Sequence, residues 1–183
     1  RGMYPHLNRQ VSFGDYDNNG YDEVYCIPQR FDSAFLEFFE PLNPDGKSLQ
    51  SFFITRINTI NDTADYTHSN VMLHDLNGDS IKEMIFSVNG GFSKTPRNLF
   101  IFNLNTKELQ RSIHTGVKLN NFHVTDLDND DEMDLIPVGF AASDNIPDFA
   151  SYKYHDQSCW LFAFDHNLNL LFDPVEFPGR YSS

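Results

Sequence analysis

The chain has few of the residues that mark several common protein classes. Its 183 residues include only two cysteines, Cys26 and Cys159. Disulfide-rich folds use more cysteines at closer spacing, so we expect two unpaired thiols. Lysine and arginine total 13 against 26 acidic residues, and the absence of a basic stripe argues against nucleic-acid binding. No apolar run approaches the roughly 20 residues that span a bilayer, so we expect no membrane insertion of this segment.

Signatures of catalysis are also missing. The chain contains no G-x-S-x-G motif, no glycine-rich phosphate loop and no C-x-x-C pair. Its seven histidines are scattered, and none forms a metal-binding i, i+4 pair. We therefore assign no catalytic residue and expect a protein that is not an enzyme.

One nine-residue acidic pattern is present three times, each time just before a strand-like segment. The copies begin at Asp15, Asp75 and Asp126, so they start 60 and 51 residues apart. We call residues 15–23 loop 1, residues 75–83 loop 2 and residues 126–134 loop 3. Positions 1, 3, 5 and 9 carry oxygen-bearing side chains, and position 4 is Asn or Gly. Calcium takes about six to eight oxygen ligands, and this spacing supplies several of them from one turn.

The negative charge of the chain is concentrated in these loops. The net charge is −13, and 13 of the 26 acidic residues lie within the loops. Like charges packed this closely repel one another unless a cation lies between them. The acidity therefore indicates cation sites in the first instance. Solvated turns rich in Asp and Asn, which hydrogen-bond their own backbones, are the alternative interpretation.

Repeats near 50 residues with β-rich flanks are typical of propeller blades. We predict an all-β fold, a single repeat array over residues 1–183 with four-stranded antiparallel blades at about 9–56, 68–114 and 120–177. Aromatic residues favour strands, and no segment has a sustained helical period, so we expect almost no helix. The predicted strands are 9–14, 23–28, 34–40 and 48–56; then 70–74, 84–88, 99–103 and 109–114; then 122–125, 133–139, 159–164 and 168–172. The first unit has a strong hairpin turn at 43–46.

Three blades are too few for a closed ring, since propellers usually have about four to eight. We therefore expect this array to be part of a larger propeller, with further blades from the same parent chain as partners. The chain begins with Arg1 instead of Met, which also leads us to expect a piece of a longer or processed product.

A helix-loop-helix calcium site begins with a similar acidic run but needs a bidentate Glu at position 12. Here the twelfth residues are Cys26, Phe86 and Pro137, which cannot serve as that ligand. The β-rich flanks argue against this class as well.

The loops instead resemble the FG-GAP or VCBS repeats of integrin alpha-chain propellers and bacterial surface proteins. The shared pattern is D-x-D-G-D-G-x-x-D followed by an apolar residue, which here is Val24, Met84 or Leu135. Residues 11–15 resemble the strand that enters such a repeat. One departure is position 6, which is Gly20 in loop 1 but Ser80 and Asp131 in the others.

The resemblance implies up to three calcium ions, one in the turn between the first two strands of each blade. Loop 3, with four ligand carboxylates, is expected to bind most tightly. The implied ligands are Asp15, Asp17, Asn19, the Tyr21 carbonyl and Glu23 in loop 1; Asp75, Asn77, Asp79, the Ile81 carbonyl and Glu83 in loop 2; and Asp126, Asp128, Asp130, the Glu132 carbonyl and Asp134 in loop 3.

A ligand-binding face is expected at the end opposite the acidic loops, where the long connections 58–68, 89–97 and 141–157 would lie. Aromatic and basic side chains on exposed loops suit protein or carbohydrate recognition. The alternative is that these aromatics pack down onto the blades. The candidate residues are Phe92, Lys94, Arg97, Phe149, Tyr152, Lys153, Tyr154 and His155.

We interpret the chain as a calcium-stabilised binding or adhesion module of a secreted, periplasmic or cell-surface protein. Its partner would be a protein or carbohydrate of unknown identity. The alternatives are an accessory or catalytic propeller of a secreted polysaccharide-degrading enzyme, with Lys153 or His155 as base, and an extracytoplasmic sensor domain of a membrane signalling protein.

Overall fold

The computed structural model describes residues 11–42, 50–57, 66–68, 71–91, 95–140 and 152–178. Within these ranges the chain forms three antiparallel sheets and no helix, which confirms the all-β prediction. Accordingly, no described segment is a helix able to cross a membrane. Cys26 and Cys159 are free thiols, as expected. The predicted turn at 43–46 lies outside the described residues.

Sheet 1 is an antiparallel meander at the start of the chain. Its strands follow the order β1, β2, β4, β5, and the short β3 continues the line of β2 along β4. The turn at loop 1 joins β1 to β2, because the register pairs Gly14 with Glu23 on either side of it. The strands are β1 (Val11–Gly14), β2 (Glu23–Cys26), β3 (Gln29–Arg30), β4 (Ser33–Phe39) and β5 (Gln50–Arg56).

Sheet 2 repeats this plan. Two short segments, β6 and β7, both pair with β8, and β9 and β10 follow as the next two strands. Loop 2 joins β7 to β8, where His74 pairs with Glu83. The strands are β6 (Tyr66–His68), β7 (Met72–His74), β8 (Glu83–Gly90), β9 (Arg97–Asn103) and β10 (Leu109–Arg111).

Sheet 3 contains β11 (Lys118–Thr125), β12 (Asp134–Phe140), β13 (Cys159–Leu161) and β14 (Val175–Phe177), paired in that order. Its last strand corrects the prediction of a strand at 168–172. There Leu168 has a positive φ of 62°, and only an isolated bridge joins Leu170 to Phe164. The chain leaves the ladder before Pro174, which has no backbone N–H, and pairs again as β14.

Sheet 2 is packed between the other two. All eight residues of β8 are buried, because its two faces contact different sheets. Met84, Phe86 and Val88 belong to the core shared with sheet 1, whereas Ile85 belongs to the core shared with sheet 3. The near-continuous apolar sequence of β8 is what a strand with two covered faces requires.

Polar side chains connect sheet 2 to its neighbours at the end of the sheets away from the acidic loops. The buried Asn89 amide donates to the Leu119 carbonyl (3.0 Å) and accepts from the Leu119 N–H (2.9 Å). One side chain thereby reproduces the two hydrogen bonds of a backbone pair between β8 and β11.

The stacked core should be the main source of stability. Phe100 is fully buried and stacks on Phe86 with ring centroids 5.6 Å apart. Phe100→Ala should lower the free energy of unfolding by about 3–5 kcal/mol, because it leaves a cavity between sheets 1 and 2. Phe31→Ala, at a side chain that is 86% exposed, should change it by less than about 0.5 kcal/mol. Urea unfolding of both variants measures this, and equal losses would contradict the stacked arrangement.

Candidate metal centre

The three acidic loops share one backbone conformation. Positions 4 and 6 have positive φ in every loop, although the residues there differ. The angles are Asn18 58°, Gly20 89°, Gly78 73°, Ser80 68°, Asn129 63° and Asp131 69°. Gly and Asn adopt this region most readily, Asp is tolerated, and Ser carries the larger steric cost. The departures from glycine at position 6 therefore leave the turn unchanged but place strain at Ser80.

The carboxylate at position 1 organises each turn. Its oxygens accept hydrogen bonds from backbone N–H groups within the loop, including the N–H of position 6 in all three copies. The position 6 contacts are Gly20 to Asp15 (2.9 Å), Ser80 to Asp75 (2.8 Å) and Asp131 to Asp126 (3.2 Å). These bonds gather the N–H donors on one oxygen pair and fix the course of the turn.

Position 5 adds a second recurring contact. Its side-chain oxygen accepts the N–H of position 7 at 2.8–2.9 Å in Asn19, Asp79 and Asp130. The three loops therefore match in side-chain contacts as well as in backbone conformation.

The carboxylate at position 9 is buried at the first residue of the second strand. Glu23, Glu83 and Asp134 are 0%, 5% and 3% exposed. Each accepts the N–H of position 2, from Tyr16 at 3.0 Å, Leu76 at 3.1 Å and Leu127 at 2.7 Å, respectively. This bond ties the start of the loop to the strand that leaves it.

Burial makes two of these carboxylates costly to ionise. Desolvation raises the pKa of Glu23 and of Glu83, and the neighbouring loop carboxylates raise both further. Hydrogen bonds from the Tyr16 N–H to Glu23 and from the Leu76 N–H to Glu83 oppose the shift only in part. An adjacent cation would offset the same cost.

Loop 1 has a buried carboxylate oxygen and a carboxylate spacing that both bear on whether calcium fits there. One oxygen of Glu23, Oε1, is buried and has no hydrogen-bond partner among the described residues. Carboxylate oxygens of Asp15, Asp17 and Glu23 lie within 4.8 Å of one another. Calcium binds oxygen at about 2.3–2.6 Å, so oxygens at that separation can share one ion. The donor set of loop 1 fits a hard divalent cation.

In loop 3, carboxylate oxygens of Asp126, Asp128 and Asp130 also lie within 4.8 Å of one another. Loop 2, which is described in full, forms no such group of three carboxylates. There Asn77 replaces the acid at position 3, and its amide contacts Asp79 at 3.2 Å. The structure thus groups all three carboxylates predicted for loop 1 and three of the four predicted for loop 3, where Asp134 is not in the group, and it forms no such group in loop 2.

The loops lie side by side at one end of the sheets. The Lys82 ammonium of loop 2 donates to the Asp15 carbonyl of loop 1 at 2.7 Å. Similarly, the Met133 N–H of loop 3 donates to the Leu76 carbonyl of loop 2 at 2.8 Å. His166 Nδ1, in the turn that follows β13, lies 2.7 Å from the Glu132 carboxylate of loop 3. Loop 3 therefore lies beside the turn at 165–169 of its own sheet.

Two residues predicted for the ligand face are instead part of the interior. Arg97 is fully buried and donates to the Gly116 carbonyl at 2.5 Å. Tyr154 is 5% exposed and packs edge-on against Trp160 and Phe162. Both predictions are corrected: Arg97 is the buried first residue of β9, and Tyr154 packs into the core between sheets 2 and 3.

The other candidates on that face are partly accessible or lie outside the described residues. Tyr152 and His155 are half-buried, and the exposed Lys153 forms an ion pair with Asp173 at 3.3 Å. The candidates outside the described ranges are Phe92, Lys94 and Phe149. Sequence reasoning missed Arg56, Arg111 and His114, which line a cavity at this end. Because these residues come from two different sheets, no sequence motif connects them.

Comparison with known proteins returned no match. No family model matches the chain, and the searches of curated proteins and of solved structures found no match either.

The strain at position 6 of loop 2 can be measured directly. Ser80→Gly should raise the free energy of unfolding by up to about 1 kcal/mol, because glycine adopts positive φ without a Cβ clash. Ser87→Gly, in the buried interior of β8, should lower it by about 0.5–1 kcal/mol. Thermal unfolding of the two variants checks both signs. A loss of stability in Ser80→Gly would contradict the common turn geometry.

Proposed function

We propose that this chain is a calcium-stabilised module of the FG-GAP or VCBS kind and that it binds a protein or carbohydrate partner. The observation that carries the proposal is the recurrence of one oxygen-rich turn in three sheets. Three copies agree in backbone conformation, in the contacts of positions 1, 5 and 9, and in burial of the position 9 carboxylate. Independent solvated turns have no reason to agree in all of these respects.

In this proposal the ions are structural. Carboxylates of loops 1 and 3 would hold them, and the ion would supply the positive charge that the clustered acids lack. Binding to the folded turn alone stabilises the fold by mass action. Calcium sites of moderate affinity fill at the millimolar calcium found outside cells, which favours a secreted, periplasmic or cell-surface location.

Further blades are proposed to cover the free face of sheet 1. One cross-strand pair occupies the equivalent position in each sheet. These pairs are Val24 with Phe39 in sheet 1, Met84 with Phe102 in sheet 2, and Leu135 with Phe164 in sheet 3. The pairs in sheets 2 and 3 are at most 2% exposed, since the preceding sheet covers them, whereas Phe39 is 39% exposed. The equivalent position in sheet 1 is therefore suited to another sheet of the same plan, which would continue a propeller.

Calcium binding is tested by titrating the metal-stripped chain in a calorimeter and by thermal unfolding with and without calcium. We expect heat of binding and a higher Tm in calcium. Glu23→Gln separates the cost of burying the Glu23 charge from the contribution of that charge to calcium binding. Without calcium it should unfold at the same temperature or higher, because a buried charge is removed. With calcium it should lose part of the Tm increase, because a charged ligand is lost.

Glu108→Gln is the matched control, because Glu108 is exposed on a turn of sheet 2. It should keep the full calcium response. Absence of heat and of any calcium-dependent change in Tm in the unaltered chain would reject the proposal.

The free face of sheet 1 predicts self-association of the chain studied by itself. Light scattering over a wide range of protein concentration should detect it, and Phe39→Ser should reduce it with little change in Tm. The equivalent Phe102→Ser, inside the stack, should lower the free energy of unfolding by about 3–5 kcal/mol. A chain that remains monomeric at every concentration would contradict the proposal that another sheet covers this face of sheet 1.

A further inference from the structure

A cavity of about 580 Å³ opens between sheets 1 and 2, at the end opposite the acidic loops. Its walls come from the ends of β5 and β10, the β3–β4 turn and the approach to β9. Thr55, Pro96 and Ser112 are buried and form its floor, whereas Arg56, Arg111 and His114 are exposed around it. Ligand sites in proteins are concave, and a few polar or charged groups in them fix the orientation and specificity of the ligand.

Two guanidinium groups give this cavity a positive character. Among the described residues, neither Arg56 nor Arg111 forms an ion pair with a carboxylate. The chain carries a net charge of −13, and half of its acids lie in the loops at the other end. Two arginines at one opening with no carboxylate partner among the described residues suit an oxyanion, which arginine binds through paired N–H groups.

His114 supplies an acceptor beside these donors. Its Nδ1 lies 3.1 Å from the Asn98 Oδ1, and the Asn98 Nδ2 donates to the carbonyls of Ser112 and Ile113. The amide is therefore oriented with its oxygen toward the ring, so Nδ1 carries the proton and Nε2 is the acceptor. Desolvation, with the positive charges of Arg111 and Arg97, lowers the pKa of His114 and favours this neutral form.

Other acceptors line the same cavity. The Asp32 carboxylate is exposed at its edge. On the floor, the Thr55 hydroxyl donates to the Arg56 carbonyl at 3.2 Å, which leaves its oxygen lone pairs free to accept. The cavity thus combines anion-binding donors with several acceptors for hydroxyl groups.

We propose that this cavity binds an acidic sugar, a polyhydroxylated ligand that carries a carboxylate or sulfate group. The charged group binds Arg56 and Arg111, and the sugar hydroxyls donate to Asp32, His114 and the floor. The inference deepens the proposed binding function and rests on it. It differs from the sequence-based expectation in using residues from two sheets instead of the long connections.

The test is calorimetric titration of the full chain in saturating calcium with glucuronic acid, a sulfated glucose, neutral glucose and acetate. We expect at least one charged sugar to bind, with glucose and acetate each weaker by about tenfold or more. Arg56→Gln and Arg111→Gln should each weaken binding of the charged sugar by about tenfold or more. If glucuronic acid binds more tightly, the preferred anion is a carboxylate. If the sulfated glucose binds more tightly, it is a sulfate.

Lys107→Gln is the charge-matched control, because Lys107 lies in the turn before β10 and does not line the cavity. It should bind as the unaltered chain does. The inference is overturned if neither charged sugar binds, if acetate binds as tightly as the sugar, or if the arginine variants bind normally. The calcium-dependent rise in Tm, measured on the same preparation, separates this failure from failure of the calcium proposal itself.

Discussion

The architecture depends on a buried carboxylate at the first residue of the second strand in each sheet. Glu23, Glu83 and Asp134 each hold the N–H of position 2, so each closes its loop against the strand that follows. The same group links fold to chemistry, because a buried carboxylate is costly without a partner of opposite charge. In Glu23 the second oxygen, Oε1, is buried and has no hydrogen-bond partner among the described residues, and in our proposal it binds the ion.

The molecule separates its charges between two ends. Acidic turns gather at one end of the sheets, where contacts such as Lys82 with Asp15 and Met133 with Leu76 join neighbouring loops. At the opposite end, side-chain amides and arginines connect the sheets, as Asn89 does with Leu119. A cavity lined by two arginines, a histidine and Asp32 lies at that second end, away from the acidic loops. Metal and ligand would thus occupy separate sites on one scaffold.

Local patterns predicted most strands but failed where contacts between sheets decide the outcome. The apolar segment at 168–172 was predicted as a strand, yet Leu168 turns the chain and the ladder resumes only at β14. Arg97 and Tyr154 were expected on the surface because their segments read as loops. In the structure the Arg97 guanidinium reaches the Gly116 carbonyl, and Tyr154 fills the space beside Trp160.

The all-β class, the three units and the shared turn were predictable from the sequence, because strand alternation and the spacing of oxygen-bearing residues are local properties. Tertiary packing determines which carboxylates come within 4.8 Å of one another and which side chains of two sheets line one cavity. Those outcomes depend on how sheets stack, and residues such as Arg56 and Arg111 are too distant along the chain for any local pattern to connect them.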